Sequence, residues 1–187
     1  TAPYIRSGDG PGGWGCAIVE VPYTYYKFFG DTEVLEEFLP RMLHYFEYLE
    51  ARSENDLVVS DQPEQWVLGD WCTPTKIEIP APYVNTYFHV KSLLRVIDIC
   101  KILGKEDKIA PLEDRVLVKK AAITKHYFDA QTGDFAGNIQ GANAFAVDIG
   151  LGDERTFSNM VEHYRQKTVY DTGIFGTDIA TRVLFEN

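Results

Sequence analysis

Two tryptophans stand where a side chain can be offered to a ligand. Trp14 lies in Gly12-Gly13-Trp14-Gly15, and Trp71 in Leu68-Gly69-Asp70-Trp71. Glycine frees the backbone to bring an indole to a cavity rim. A flat aromatic face packs on the C–H face of a pyranose, and a neighbouring carboxylate accepts from its hydroxyls. The chemistry on offer is therefore sugar recognition by Trp14, Trp71 and Asp70. For each indole the alternative is a plug in the core, and for Asp70 a helix N-cap. Trp66 reads as scaffold, and Asp61 and Glu64 as solvated loop charges. Glycoside hydrolysis needs two carboxyls facing each other across the scissile bond. No pair here is marked out by context, so no catalytic residue is assigned within the chain.

Other chemistries find less support. His44, His89, His126 and His163 are scattered through helical patterns without HxxxH or HExxH spacing, which argues against a metal or triad role. Cys16, Cys72 and Cys100 form no CxxC pair and read as small buried residues. Neither GxxxxGK[ST] nor GxGxxG occurs, so no phosphate or dinucleotide cradle is expected. No cofactor and no metal are expected. The 187 residues carry 18 Lys+Arg against 28 Asp+Glu, a formal charge of −10. That balance disfavours a grip on nucleic acid or an anionic membrane surface. No apolar run approaches the roughly 20 residues of a bilayer span. A soluble protein is expected, its compartment open between cytoplasm and export.

The elements that must position these residues are helical. A Gly/Pro-rich start delivers Trp14 to a segment, Cys16–Phe29, that is apolar and aromatic nearly all round. This predicts a buried helix, kinked at Pro22 or starting late there, and closed by Gly30. Asp31 or Thr32 then caps a second helix, in which Val34, Leu35, Phe38, Leu39, Met42, Leu43, Phe46 and Leu49 make one stripe at the 3.6 period. The unit recurs as helices over about 84–103 and 112–128, turning at Gly104. It recurs again from Ile139 to Gly150, continuing after Asp153 as a helix carrying Phe157, Met160, Val161 and Tyr164. Gly173-Ile174-Phe175-Gly176-Thr177 reads as a capped turn, with a last helix after Gly176-Thr177-Asp178. Strand signal is confined to Leu57-Val58-Val59 and Ile77-Glu78-Ile79.

Three hairpins of a buried inner and an amphipathic outer helix make the class all-α. Such units bury their inner faces only by stacking into solenoids or closing into toroids. Residues 53–82, the one long interruption, carry Trp66, Trp71 and six acids and read as functional. Both ends read as cut within structure. The 187 residues are accordingly expected to be a single segment, about half of a closed toroid.

Gly13-Trp14-Gly15-Cys16-Ala17, then Pro22-Tyr23-Thr24-Tyr25-Tyr26 and Gly30-Asp31, resemble the catalytic domain of the bacterial α-L-rhamnosidases of glycoside hydrolase family 78. That family shows a GWGDA-like turn, a Pro-aromatic-Thr run and then Tyr-Gly-Asp. The likeness continues through Gly69-Asp70-Trp71, Asn85-Thr86-Tyr87-Phe88, Ile102-Leu103-Gly104-Lys105, Gln140-Gly141-Ala142, Gly150-Leu151 and Thr172-Gly173-Ile174-Phe175-Gly176-Thr177. The resemblance implies a partial (α/α)6 toroid and inverting removal of terminal α-L-rhamnose. It places the general acid upstream of the chain and the general base downstream. It also implies Trp14 and Trp71 as rhamnose-contacting aromatics with Asp70 beside the second, and the remainder of the catalytic domain as partner. Cys16 stands where the family has Asp, which leaves room for a non-catalytic carbohydrate-binding toroid.

Overall fold

The computed structural model describes residues 10–61 and 67–186. Trp66 and Glu64 lie outside the described residues. The first hairpin is α1 (Ala17–Phe29) and α2 (Glu33–Glu50). Gly30 turns the chain at φ 71°, donating to the Tyr26 carbonyl at 2.7 Å, a left-handed cap that a β-carbon disfavours. Asp31 accepts from the Glu33 amide at 2.9 Å and starts α2. The buried positions of α2 are Leu35, Leu39, Met42, Phe46 and Leu49, one face as the period requires.

α1 corrects the expectation of a helix buried all round. It runs on through Pro22, and only one side is covered: Val19 and Pro22 are buried, while Val21, Phe28 and Phe29 are 65%, 80% and 71% exposed. α1 packs on α2 and α3 along one flank, and the aromatic residues of its other flank face outward.

The second hairpin is α3 (Ala81–Ile102) and α4 (Ile109–Tyr127), turning at Gly104 with φ 64°. The third is α5 (Ala142–Asp148) and α6 (Glu154–Lys167), and α7 (Ile174–Glu186) follows. Asp153 and Thr156 form a reciprocal capping box at the start of α6. α5 is seven residues long and does not begin at Ile139 as its apolar run suggests. Residues 136–141 form instead an irregular turn with positive φ at Gly137, Asn138, Gln140 and Gly141.

The cause is Gln140. Its Oε1 accepts from the amides of Glu78 and Ile79 at 2.7 and 3.0 Å, and its Nε2 donates to the Lys76 carbonyl at 2.9 Å. One side chain supplies the partners that a neighbouring strand would have offered, so Ile77-Glu78-Ile79 is not a strand. The other strand signal survives as a two-residue pair, β1 (Ser53–Glu54) with β2 (Leu57–Val58). A second such pair is β3 (Phe128–Asp129) with β4 (Asp134–Phe135).

α1, α3, α5 and α7 lie side by side in that order, backed by α2, α4 and α6. The core follows the inner row: Tyr83, Tyr87, Val90, Leu93 and Phe145 are 1% exposed or less. Of the cysteines, Cys16 and Cys100 are buried, but Cys72 is exposed on a loop at φ 61°.

A polar knot ties α2, α3 and α4 behind that core. Lys119 of α4, 1% exposed, donates to Glu50 at 2.8 Å and to Ser53 at 3.3 Å. His89 of α3 is fully buried, 5.5 Å from the Phe46 ring and 3.9 Å from the other Glu50 oxygen. Burial first, then the charges of Lys119 and Arg115, push the His89 pKa down to about 3. Below about pH 6.5 the unfolded chain therefore binds a proton that the folded chain refuses. Stability should fall as pH drops from about 6.5 toward 3, by at most about 1.4 kcal/mol per unit. His89→Gln is expected to flatten that limb in urea unfolding series at pH 4–7, and an unchanged slope would assign the acid sensitivity elsewhere.

Candidate functional site

Three stretches distant in sequence meet at one end of the inner row: the loop into α1, the segment before α3, and the start of α7. Their aromatic residues touch edge to face. Trp14 lies 6.1 Å from Trp71 and 5.8 Å from Phe175 between ring centroids, with interplanar angles of 67° and 72°. Phe88 of α3 meets Phe175 at 5.0 Å and 72°. Edge-to-face rings hold each other's orientation, so the indole faces turned away from the cluster are fixed surfaces. Trp14 is half-buried, and Trp71 is 40% exposed.

Asp70 is fully buried, and its carboxylate is turned to the start of α7. It accepts from the amides of Gly173 at 2.7 Å, Phe175 at 3.1 Å and Gly176 at 3.1 Å. Helix starts leave their first amides without intrahelical partners, and here a carboxylate 103 residues upstream takes them. That is why α7 begins at Ile174, ahead of the expected start after Asp178. Burial drives the Asp70 pKa above its ordinary value, against the pull of the three amides. The Ile174 amide also donates to the Trp71 carbonyl at 2.7 Å. A β-carbon at residue 173 would sit 2.2 Å from that carbonyl oxygen, so glycine is required there. Asp70 thus fastens Trp71 and Phe175 to each other.

Phe88 and Phe175 of this cluster also line a cavity of about 450 Å³ between α1, α3 and α7. Cys16, Tyr87, Phe88, Ser92, Phe175 and Ile179 line it together with the charged side chains of Glu20, Lys91, Arg95, Asp178, Arg182 and Glu186. Much of the charge is already paired: Arg95 lies 3.5 Å from Glu20, and Asp148 at the end of α5 accepts from Lys91 at 2.9 Å, from Tyr87 at 2.5 Å and from Arg182. Cys16, 7% exposed, turns its thiol to the Gly13 carbonyl at 3.1 Å. Among the described residues no group of three or more His, Cys, Asp or Glu is placed to hold a metal ion, and no helix is long and apolar enough to cross a membrane.

Sequence reasoning gave Phe88, Phe175, Asp148 and Asp61 no part in the site. The side chain of Asp61 is 4% exposed, not the solvated charge expected of a loop acid. Tyr87 and Lys91, four apart on α3, share a face, which is a signal for one common partner; nothing local marks Asp148 as that partner.

The model of the bacterial alpha-L-rhamnosidase 6 hairpin glycosidase domain matches residues 1–187. The chain belongs to this family. The α-L-rhamnosidase of Streptomyces avermitilis is 30% identical over 151 residues, 80% of this chain and 14% of that protein. The α-L-rhamnosidase of Formosa agariphila is 26% identical over 194 residues, covering 91% and 19%. The chain therefore spans less than a fifth of the length of either rhamnosidase. Among solved structures, Streptomyces avermitilis α-L-rhamnosidase complexed with L-rhamnose superposes with a TM-score of 0.81 at 26% identity, over 95% of this chain and 17% of that one. The α-L-rhamnosidase of Dictyoglumus thermophilum, at 21% identity, shows the same fold with a TM-score of 0.80, over 92% and 20%. The hairpins described above are thus those of the six-hairpin α/α toroid of the rhamnosidase family.

Proposed function

We propose that this chain is about half of the catalytic toroid of an α-L-rhamnoside hydrolase and supplies the aromatic wall of its sugar subsite. The observation that carries the reading is the fixed Trp14–Trp71 pair, joined through Phe175 to the wall of a cavity between inner helices. Trp14 and Trp71 present their faces to the C–H surface of rhamnose, and Asp70 serves the substrate from behind by holding Trp71 and the start of α7 in register. The uncovered stripe of α1, Val21, Tyr25, Phe28 and Phe29, supports the expectation that further hairpins of the same domain close against it. On this reading hydrolysis inverts the anomeric centre. A carboxylic acid protonates the glycosidic oxygen while a carboxylate about 6.5–9.5 Å away activates water. Both groups come from parts of the domain outside residues 1–187.

Two measurements test this. The 187-residue chain alone is expected to leave an aryl α-L-rhamnoside unhydrolysed relative to a control without protein. In the complete enzyme carrying the chain, Trp14→Ala and Trp71→Ala are each expected to lower kcat/KM by about tenfold to a hundredfold, the loss of one stacking face. Folded variants with unchanged kcat/KM would remove both tryptophans from the sugar site. Rhamnose binding without turnover by the unmutated complete protein would favour a carbohydrate-binding toroid, the reading that Cys16 in place of an acid leaves in play.

A further inference from the structure

Trp14 is carried by a loop without regular structure, yet it takes a defined place against Trp71 and Phe175. What fixes the loop is a set of side chains far from it in sequence. The Gly10 amide donates to Asp61 Oδ2 at 2.9 Å across 51 residues, and the Gly10 carbonyl accepts from the Tyr45 hydroxyl at 2.9 Å. Both backbone polar groups of one glycine are thereby claimed by other elements. Gly15, on the far side of Trp14, rests on this anchored peptide: a β-carbon there would lie 1.6 Å from the Gly10 oxygen. Between the two contacts Gly12 turns at φ 87°, and Gly13 lies flat on the Phe175 ring, 2.2 Å from where a β-carbon would stand.

Asp61 is itself locked. Its Oδ1 accepts from the Tyr48 hydroxyl and lies 3.8 Å from Arg52 Nε. The Arg52 guanidinium sits 3.6 Å over the Tyr48 ring and donates to the Tyr48 carbonyl at 2.9 Å. A carboxylate taken out of water is tolerated only where donors and an opposite charge replace its hydration. Asp61 has two hydroxyl or amide donors and a guanidinium. It gains these only in the geometry that also holds Gly10. An asparagine would turn an N–H₂ toward one of the two donors.

We propose that Asp61 is a positioning residue for Trp14, holding Gly10 so that the loop presents the indole to the sugar. This rests on the reading of Trp14 as a sugar contact given above. In the complete enzyme, Asp61→Ala, Asp61→Asn and Tyr48→Phe are compared with Trp14→Ala by three readouts. These are hydrogen exchange of the peptide covering residues 10–16, KM and kcat on an aryl α-L-rhamnoside, and the melting temperature. Asp61→Ala is expected to speed exchange of residues 10–16 and to raise KM about tenfold with kcat within about twofold, the pattern of a displaced binding contact. Asp61→Asn and Tyr48→Phe, which keep one of the two links, should fall between it and the unmutated enzyme, and they carry the test if Asp61→Ala does not fold. Unchanged exchange at residues 10–16 would show that Asp61 does not hold the loop. Faster exchange, or only a lower melting temperature, with KM unchanged would show that Asp61 stabilises the fold without presenting Trp14. If Trp14→Ala itself leaves KM unaltered, the sugar-contact reading fails, while the exchange data still decide whether Asp61 holds Gly10.

Discussion

Asp70→Ala is expected to be the most damaging single substitution in the chain, lowering unfolding free energy by about 3–6 kcal/mol. Three amides at the start of α7, those of Gly173 and Gly176 buried and that of Phe175 partly so, lose their carboxylate acceptor at once, and each unsatisfied buried donor costs about 1–3 kcal/mol. The charge itself is secondary. Burial pushes the carboxyl above its ordinary pKa, so the folded state holds a proton more readily than the unfolded one. The stabilising share of that shift is present at low pH and lost as pH rises through the folded value. What α7 needs is oxygen acceptors, so Asp70→Asn, which keeps one, should cost clearly less than Asp70→Ala. Equilibrium urea unfolding at pH 7 distinguishes the two. Equal losses would mean that the negative charge, and not the acceptor geometry, holds the helix start.

Asp148→Ala should come second, at about 2–4 kcal/mol. Asp148 joins three inner helices: Tyr87 and Lys91 of α3 and Arg182 of α7 all meet its carboxylate at the end of α5. Removing one partner of a buried ionic group strands the others. The cost is moderated because Lys91 and Arg182 are 29% and 36% exposed and regain some water. Burial raises the Asp148 pKa, but hydrogen bonds from Arg182, Tyr87 and Lys91 outweigh it, and the net direction is down. A depressed carboxylate pKa contributes stability above the unfolded value near 3.8 that is lost as pH falls below it. Asp148→Asn should therefore be less stable than the unmutated protein at pH 7, with the gap starting to narrow once pH falls below about 4. A gap that does not narrow at all between pH 4 and pH 3 would point to lost packing as the cause.

The helical hairpins were legible because their signals are local. The α2 stripe repeats every three or four residues, Gly30 and Gly104 mark turns, and Asp153 with Thr156 marks a start. Three of the misreadings share one physical origin, a partner supplied from far away. Residues 136–141 look like the beginning of a helix until Gln140 is seen reaching residues 76–79. α7 starts early because its cap is Asp70. Asp61 resembles a surface charge until Gly10 and Tyr48 close on it. Trp14 and Trp71 could be singled out from their glycine neighbours, but their meeting with Phe175 is a product of that same long-range cap. α1 misled for the opposite reason, since its apolar surface exceeds what α2 and α3 cover.

The distance between Asp70 and the amides it binds also sets an order of events during synthesis. Asp70 leaves the ribosome 103 residues ahead of Gly173, so at about 5–20 residues per second its carboxylate waits in water for about 5–20 s before a partner exists. α1 to α4 can pair by short-range contacts in that interval, whereas the start of α7 and the Trp71 loop must be completed together and late. The aromatic cluster of Trp14, Trp71 and Phe175 is therefore among the last features of the chain to take shape.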